Sequence, residues 1–123
     1  MEKVLGFGGL FFRAAAPEKL ARWYLDHLGI DLVPQTAEGQ PWVASGGPTV
    51  FAPFAADTTY FTAEKAVMVN FRVARLEPML AQLEEAGIAC TRLDDMPGIG
   101  KFAHLHDPEG NPIELWEPEA PPT

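Results

Sequence analysis

One unit is written twice in this chain. Phe12-Arg13 and Phe71-Arg72 each close an apolar stretch. Each pair leads into a helix-patterned segment containing Leu25 or Leu83, and each segment stops at Gly29-Ile30 or Gly87-Ile88. The two copies are offset by 58 or 59 residues, close to half of the 123-residue chain. A repeat of this period is one supersecondary unit used twice, each copy covering apolar surface that the other cannot bury alone. Separate domains of about 60 residues would bury too small a share of their surface. The expectation is therefore one domain: a first module over about 4–54, a connector over 55–65 and a second module over about 66–118.

The local patterns fill in both modules. Residues 4–13 (VLGFGGLFFR) read as a strand rich in Phe, Leu and Val. Pro17 suits the first turn of a helix, where its missing N–H costs nothing. Leu20, Trp23, Tyr24 and Leu28 recur on one face up to the stop at Gly29. Residues 30–34, 41–45 and 48–54 read as three short strands parted by Glu38-Gly39 and Gly46-Gly47-Pro48. In the second module, residues 66–73 alternate: Val67, Val69, Phe71 and Val73 share one face, and Met68, Asn70 and Arg72 the other. A helix is expected from about Leu76 to Ala86, with Leu76, Leu80 and Leu83 as its apolar face. Strands follow at 88–93, 100–106 and 112–117, and the tail 119–123 is expected to fray.

Charge and cysteine content narrow the function classes. Acidic residues outnumber basic ones 17 to 9, a net charge of −8. Such a chain repels a phosphate polymer, so nucleic acid is not an expected partner. No apolar run approaches the ~18 residues needed to cross a bilayer, so no membrane is expected either. The single cysteine, Cys90, allows no intrachain disulfide and reads as core filler rather than a nucleophile. The first twenty residues lack an apolar core with a cleavage site, and the expected compartment is the cytoplasm. No phosphate loop, dinucleotide fingerprint or Ser-His-Asp arrangement is visible.

The most specific string is FAHLHDPEGNPIELWEP, from Phe102 to Pro118. Asp107-Pro108 opens a turn, and Gly110-Asn111 suit a tight hairpin. If residue 106 pairs with 112, then 104 faces 114 and 102 faces 116. The period-2 rule then points Ala103, Leu105, Ile113 and Leu115 toward the helices, and Phe102, His104, His106, Glu114 and Trp116 to the opposite side. This hairpin, together with FFRAAAPEKLARWYLDHLGI near the N-terminus, resembles the vicinal-oxygen-chelate superfamily of glyoxalases, bleomycin-resistance proteins and extradiol dioxygenases. The resemblance runs from about Leu5 to Glu117. It implies an α+β fold in which two tandem βαβββ modules form a curved mixed sheet around a cup.

In metal-dependent members of that superfamily, four ligands line the cup. Glu114 matches the last of them. The other positions fall near Gly9, at Met68 and within 48–54, where no suitable ligand stands. One carboxylate does not hold a divalent ion tightly, so no cofactor is expected. An alternative set of His104, His106 and Glu114 would suit a transition metal. Without metal, Glu114 reads either as a general base or ligand partner, or as a relic paired with His104 or Arg72.

Arg13 and Arg72 occupy corresponding places in the two halves and read either as anion binders or as partners of local carboxylates. Trp42, Phe51, Phe54, Tyr60 and Phe61 read either as walls of a ligand cavity, as ordinary core or as a dimer contact. The resemblance implies a small-molecule binding protein, with Glu114 as candidate catalytic group and His104, Trp116, Phe102, Arg72, Met68 and Trp42 as candidate ligand contacts. It further implies a homodimer. Two alternatives stay open: a metal-dependent lyase, isomerase or dioxygenase acting on an oxygenated small molecule, and a non-catalytic regulatory or interaction module.

Overall fold

The computed structural model describes residues 1–34 and 36–120. Helix α1 spans Pro17–Leu28. Its start has no side-chain cap of its own. Instead Glu109, far along the chain, accepts the Ala15 and Ala16 N–H groups at 2.6 and 3.0 Å. A carboxylate here satisfies donors at the entrance to the helix and faces the positive end of its dipole. At the other end the Gly29 N–H returns to the Leu25 carbonyl. Leu20 is buried, and Trp23, Tyr24 and Leu28 pack against the main core.

Strand β1 is Val69–Arg72, helix α2 Leu76–Glu85, β2 Thr91–Arg92, β3 Gly100–His106 and β4 Pro112–Pro118. They form one mixed sheet in the order β1-β4-β3-β2. β3 and β4 pair antiparallel with His106 opposite Pro112, His104 opposite Glu114 and Phe102 opposite Trp116, the predicted register. β1 pairs parallel to β4, and α2 lies in the crossover between them. Residue 68 is next in line on β1, opposite Pro112. A proline brings no N–H to a ladder, which fits the start of β1 at Val69.

The hairpin sorts its side chains as the alternation requires. Ala103, Leu105, Ile113 and Leu115 are buried against Leu76, Leu80 and Leu83 of α2. Those leucines stand at i, i+4 and i+7 on one face of the helix. Full burial of each such side chain contributes about 1.5–3 kcal/mol, before the ordering entropy that opposes it. Glu117 fixes the helix to the sheet by accepting the Leu76 N–H at 2.7 Å.

Gly100, at the start of β3, has φ +143°. A side chain there would collide with the Glu117 carbonyl and the Trp116 indole nitrogen. The bare backbone lets Trp116 Nε1 reach the Ile99 carbonyl at 3.0 Å.

The α+β class stands, and all four strands of the sheet come from the second half of the chain. Among the described residues, the segments 4–13, 30–34, 41–45 and 48–54 carry no strand, although all four were expected to. Strand sequence alone is not sufficient, because a strand needs a neighbouring edge to satisfy its backbone. Leu5, Phe11, Val43 and Phe51 are exposed as a result. Two further strands are shorter than expected: 66–73 contracts to Val69–Arg72 and 88–93 to Thr91–Arg92.

The end of the chain is partly secured. The Glu119 N–H donates to the Ile99 carbonyl, and its carboxylate accepts from the Gly98 N–H. The remainder of the expected frayed tail, 121–123, lies outside the described residues.

Candidate functional site

The sheet face away from α2 carries a buried carboxylate. Glu114 sits at the centre of β4 and is only 6% exposed. Its neighbours across the ladder are Asn70 on β1 and His104 on β3. Both register partners reach it: Asn70 Nδ2 donates to Oε1 at 2.8 Å, and His104 Nε2 lies 2.8 Å from Oε2. The third partner comes from the connector. Tyr60 donates its phenolic hydrogen to Glu114 Oε2 at 2.5 Å. Desolvation first, and then the bond to Glu114, push the Tyr60 hydroxyl above the ordinary phenol range.

The Tyr60 ring stands edge-on to His104, with centroids 5.1 Å apart, and tilted against Phe54 at 5.6 Å. Beside it opens a cleft of about 430 Å³ lined by Thr58, Tyr60, Thr62, His104, His106 and Pro112, among others. The lining includes His104 and Tyr60 but not Glu114. Both of these residues line the cleft and bond the carboxylate. This size and this mixture of hydroxyl, imidazole and aromatic groups suit a small organic ligand.

The other candidate residues are placed as follows. Phe102 and Trp116 are buried and stack with centroids 6.0 Å apart and planes 3° from parallel. They extend the face beyond Glu114 but do not line the cleft. Among the described residues, Arg72 forms no ion pair with a carboxylate. Its guanidinium donates to the Pro48 and Ser45 carbonyls at 2.6 and 2.7 Å, gripping the turn around Gly47. A Cβ on Gly47 would stand 2.6 Å from Arg72 Nε, so the glycine makes room for the grip. Met68 is half-buried just before β1, and Trp42 packs edge-on against Phe71; neither lines the cleft. His106 is exposed at the end of β3, where it lines the cleft beside Pro112.

A divalent metal takes imidazole, carboxylate and thiolate donors. Of the three groups on Glu114, only His104 is a common ligand for such an ion; Asn70 offers an amide N–H and Tyr60 a hydroxyl hydrogen. Among the described residues, no group of three or more His, Cys, Asp or Glu is placed to hold a metal ion.

Two of Glu114's partners carried little sequence signal. Asn70 was placed on the correct face by alternation, but its role depends on β1 lying beside β4. Tyr60 reads as a cavity wall, core residue or dimer contact, because the connector has no periodicity from which to aim its hydroxyl.

Residues 9–116 match the family described as the glyoxalase-like domain. The chain belongs to that family. Solved relatives of this glyoxalase-like domain lie in the superfamily that the terminal hairpin resembles. An antibiotic binding protein, TnmS3 from Streptomyces sp. CB03234, is 25% identical with a TM-score of 0.56, over 85% of this chain and 88% of its own. A glyoxalase family protein from Bacillus anthracis is 21% identical with a TM-score of 0.58, over 87% and 88%. A glyoxylase/bleomycin resistance protein/dioxygenase domain from Frankia sp. EAN1pec is 18% identical with a TM-score of 0.57, over 95% and 100%. Comparison with curated proteins gives no significant match. None of the described helices is long and apolar enough to cross a membrane.

Proposed function

We propose that this glyoxalase-like domain is a cytoplasmic, metal-independent small-molecule binding protein that works as a homodimer of two-module chains. The observation that carries the reading is the cleft of about 430 Å³ beside the buried Glu114–His104–Tyr60 cluster. The antibiotic-binding relative supports the ligand class. Glu114 is better equipped to anchor than to catalyse. An ionised carboxylate offers about four lone-pair directions, and three are engaged by the protein's own groups. The exposed apolar side chains of the first half, Phe11 and Phe51 among them, support self-association.

The test is a thermal-shift screen against a small-molecule library that includes antibiotics. Hits should raise Tm in the native protein and lose their effect in Ala63→Trp, which fills the cleft from its rim. An absence of hits, or hits indifferent to Ala63→Trp, would overturn the reading. Light scattering should give twice the chain mass; a monomer would refute the dimer. Stoichiometric Zn, Ni, Mn or Fe in native protein, lost in Glu114→Ala, would favour the metal-dependent enzyme instead.

A further inference from the structure

The three groups on Glu114 are not equally fixed. Asn70 and His104 are its direct neighbours on β1 and β3, so the sheet holds the backbone of each beside the carboxylate. Tyr60 belongs to a segment, 55–65, that contains no helix and no strand. Short local bonds shape that segment: Thr58 N–H to the Ala55 carbonyl, Tyr60 N–H to Thr58 Oγ1 and Lys65 N–H to the Thr62 carbonyl. Tyr60 itself is 40% exposed. It is the partner of Glu114 whose backbone belongs to no ladder.

The cleft opens on this movable side. Its lining includes Tyr60 and His104 without reaching Glu114. A group entering the cleft on the Tyr60 side reaches the carboxylate by taking the place of the phenol. The replacement has to be a hydrogen-bond donor, because an ionised carboxylate only accepts. A cationic donor gains most, since it adds a Coulombic attraction to the buried carboxylate that the neutral phenol lacks. The net charge of −8 attracts a cation to the protein and repels an anion. Tyr60 and Phe61, both aromatic, are among the lining residues.

The geometry points to Tyr60 as a displaceable internal occupant of the Glu114 site, and to an organic cation, a protonated amine or amidinium on an apolar body, as the ligand class that displaces it. This rests on the small-molecule reading above and sharpens it. The phenol competes with the ligand, so the ligand's apparent affinity is lowered by the stability of the closed form. Tyr60 thereby sets specificity: neutral and weakly donating molecules fail to displace it.

The sign of one substitution tests this. Tyr60→Phe keeps the ring and removes the competing hydroxyl. With benzamidinium as probe, calorimetry or NMR titration at neutral pH should show binding at least about fivefold tighter to Tyr60→Phe than to the native protein. Glu114→Gln should abolish it, and benzamide, the neutral analogue, should gain nothing from Tyr60→Phe. Unchanged or weaker benzamidinium binding in Tyr60→Phe, no binding by that variant, or an equal gain for benzamide would each overturn the proposal.

A ligand-free measurement tests the latch by itself. Amide exchange across 55–65 should quicken in Tyr60→Phe while β3 and β4 stay protected; unchanged exchange in the segment sinks the latch. Should Glu114→Gln fail to fold, the Tyr60→Phe comparisons still decide the question. Failure here is distinguishable from failure of the wider reading: neutral or anionic library hits sensitive to Ala63→Trp would keep the binding function and remove the cation.

Discussion

Tyr24 donates a 2.6 Å hydrogen bond to the buried carboxylate of Asp107, tying the first helix to a hairpin turn 83 residues later. Asp107 Oδ1 also accepts from the Glu109 and Asn111 N–H groups, and Oδ2 from the Asn111 side chain. A single carboxylate therefore shapes the turn and anchors α1.

Tyr24→Phe removes one donor from a carboxylate that is 4% exposed. Equilibrium urea unfolding should show a loss of about 1–3 kcal/mol. Asp107→Ala should cost more, because it releases every donor at once. A loss below about 0.5 kcal/mol for Tyr24→Phe would show that the hydroxyl contributes nothing net.

Both tyrosines of the chain, Tyr24 and Tyr60, donate to carboxylates. Burial first, and then those bonds, raise both phenols above the ordinary value near 10. The folded state thus keeps protons that the unfolded chain releases, and stability must fall as pH rises past about 10. Absorbance titration should show no tyrosinate at pH 10 in the folded protein. Ionisation should arrive together with alkaline unfolding. Half-ionised tyrosine at pH 10 in folded protein would contradict this.

Gly100→Ala should destabilise by about 2 kcal/mol or more. The position has φ +143°, and an added methyl meets the Glu117 backbone and the Trp116 indole. Chemical denaturation measures the loss. Native-like stability would mean that the segment shifts at no cost.

Cys90 is half-buried, and desolvation followed by the charge of Glu84 raises its thiol above the ordinary range. Reaction with a disulfide reagent at pH 8 should be slow in the folded protein and should accelerate in urea. Equal rates in both states would place the thiol in open solvent.

Much of this architecture could be read along the chain, for identifiable reasons. Leu76, Leu80 and Leu83 share a face because the helical period requires it. His104 faces Glu114 because a tight DPEGN turn leaves little freedom of pairing. Those signals are local. The position of Asn70 beside Glu114 follows from a parallel crossover, which adjacency in sequence does not encode. Arg72 grips carbonyls at 45 and 48, a choice that depends on how the first half folds back. In that half, Phe11 and Val50 carry strand propensity, yet pairing is a property of two edges and not of one segment.

The two glutamates that cap the helices have a consequence for how the hairpin closes. Glu109 stands in its turn and Glu117 near the far end of β4, and each receives the leading N–H groups of a different helix. Sliding β4 by two residues would return every apolar side chain to its proper side, so greasiness alone does not reject the misfit. Such a slip would carry Glu117 some 7 Å from α2 and leave the first turn of that helix without its acceptor. The acidic pair thus works as a vernier, allowing one alignment among several that the apolar pattern would accept.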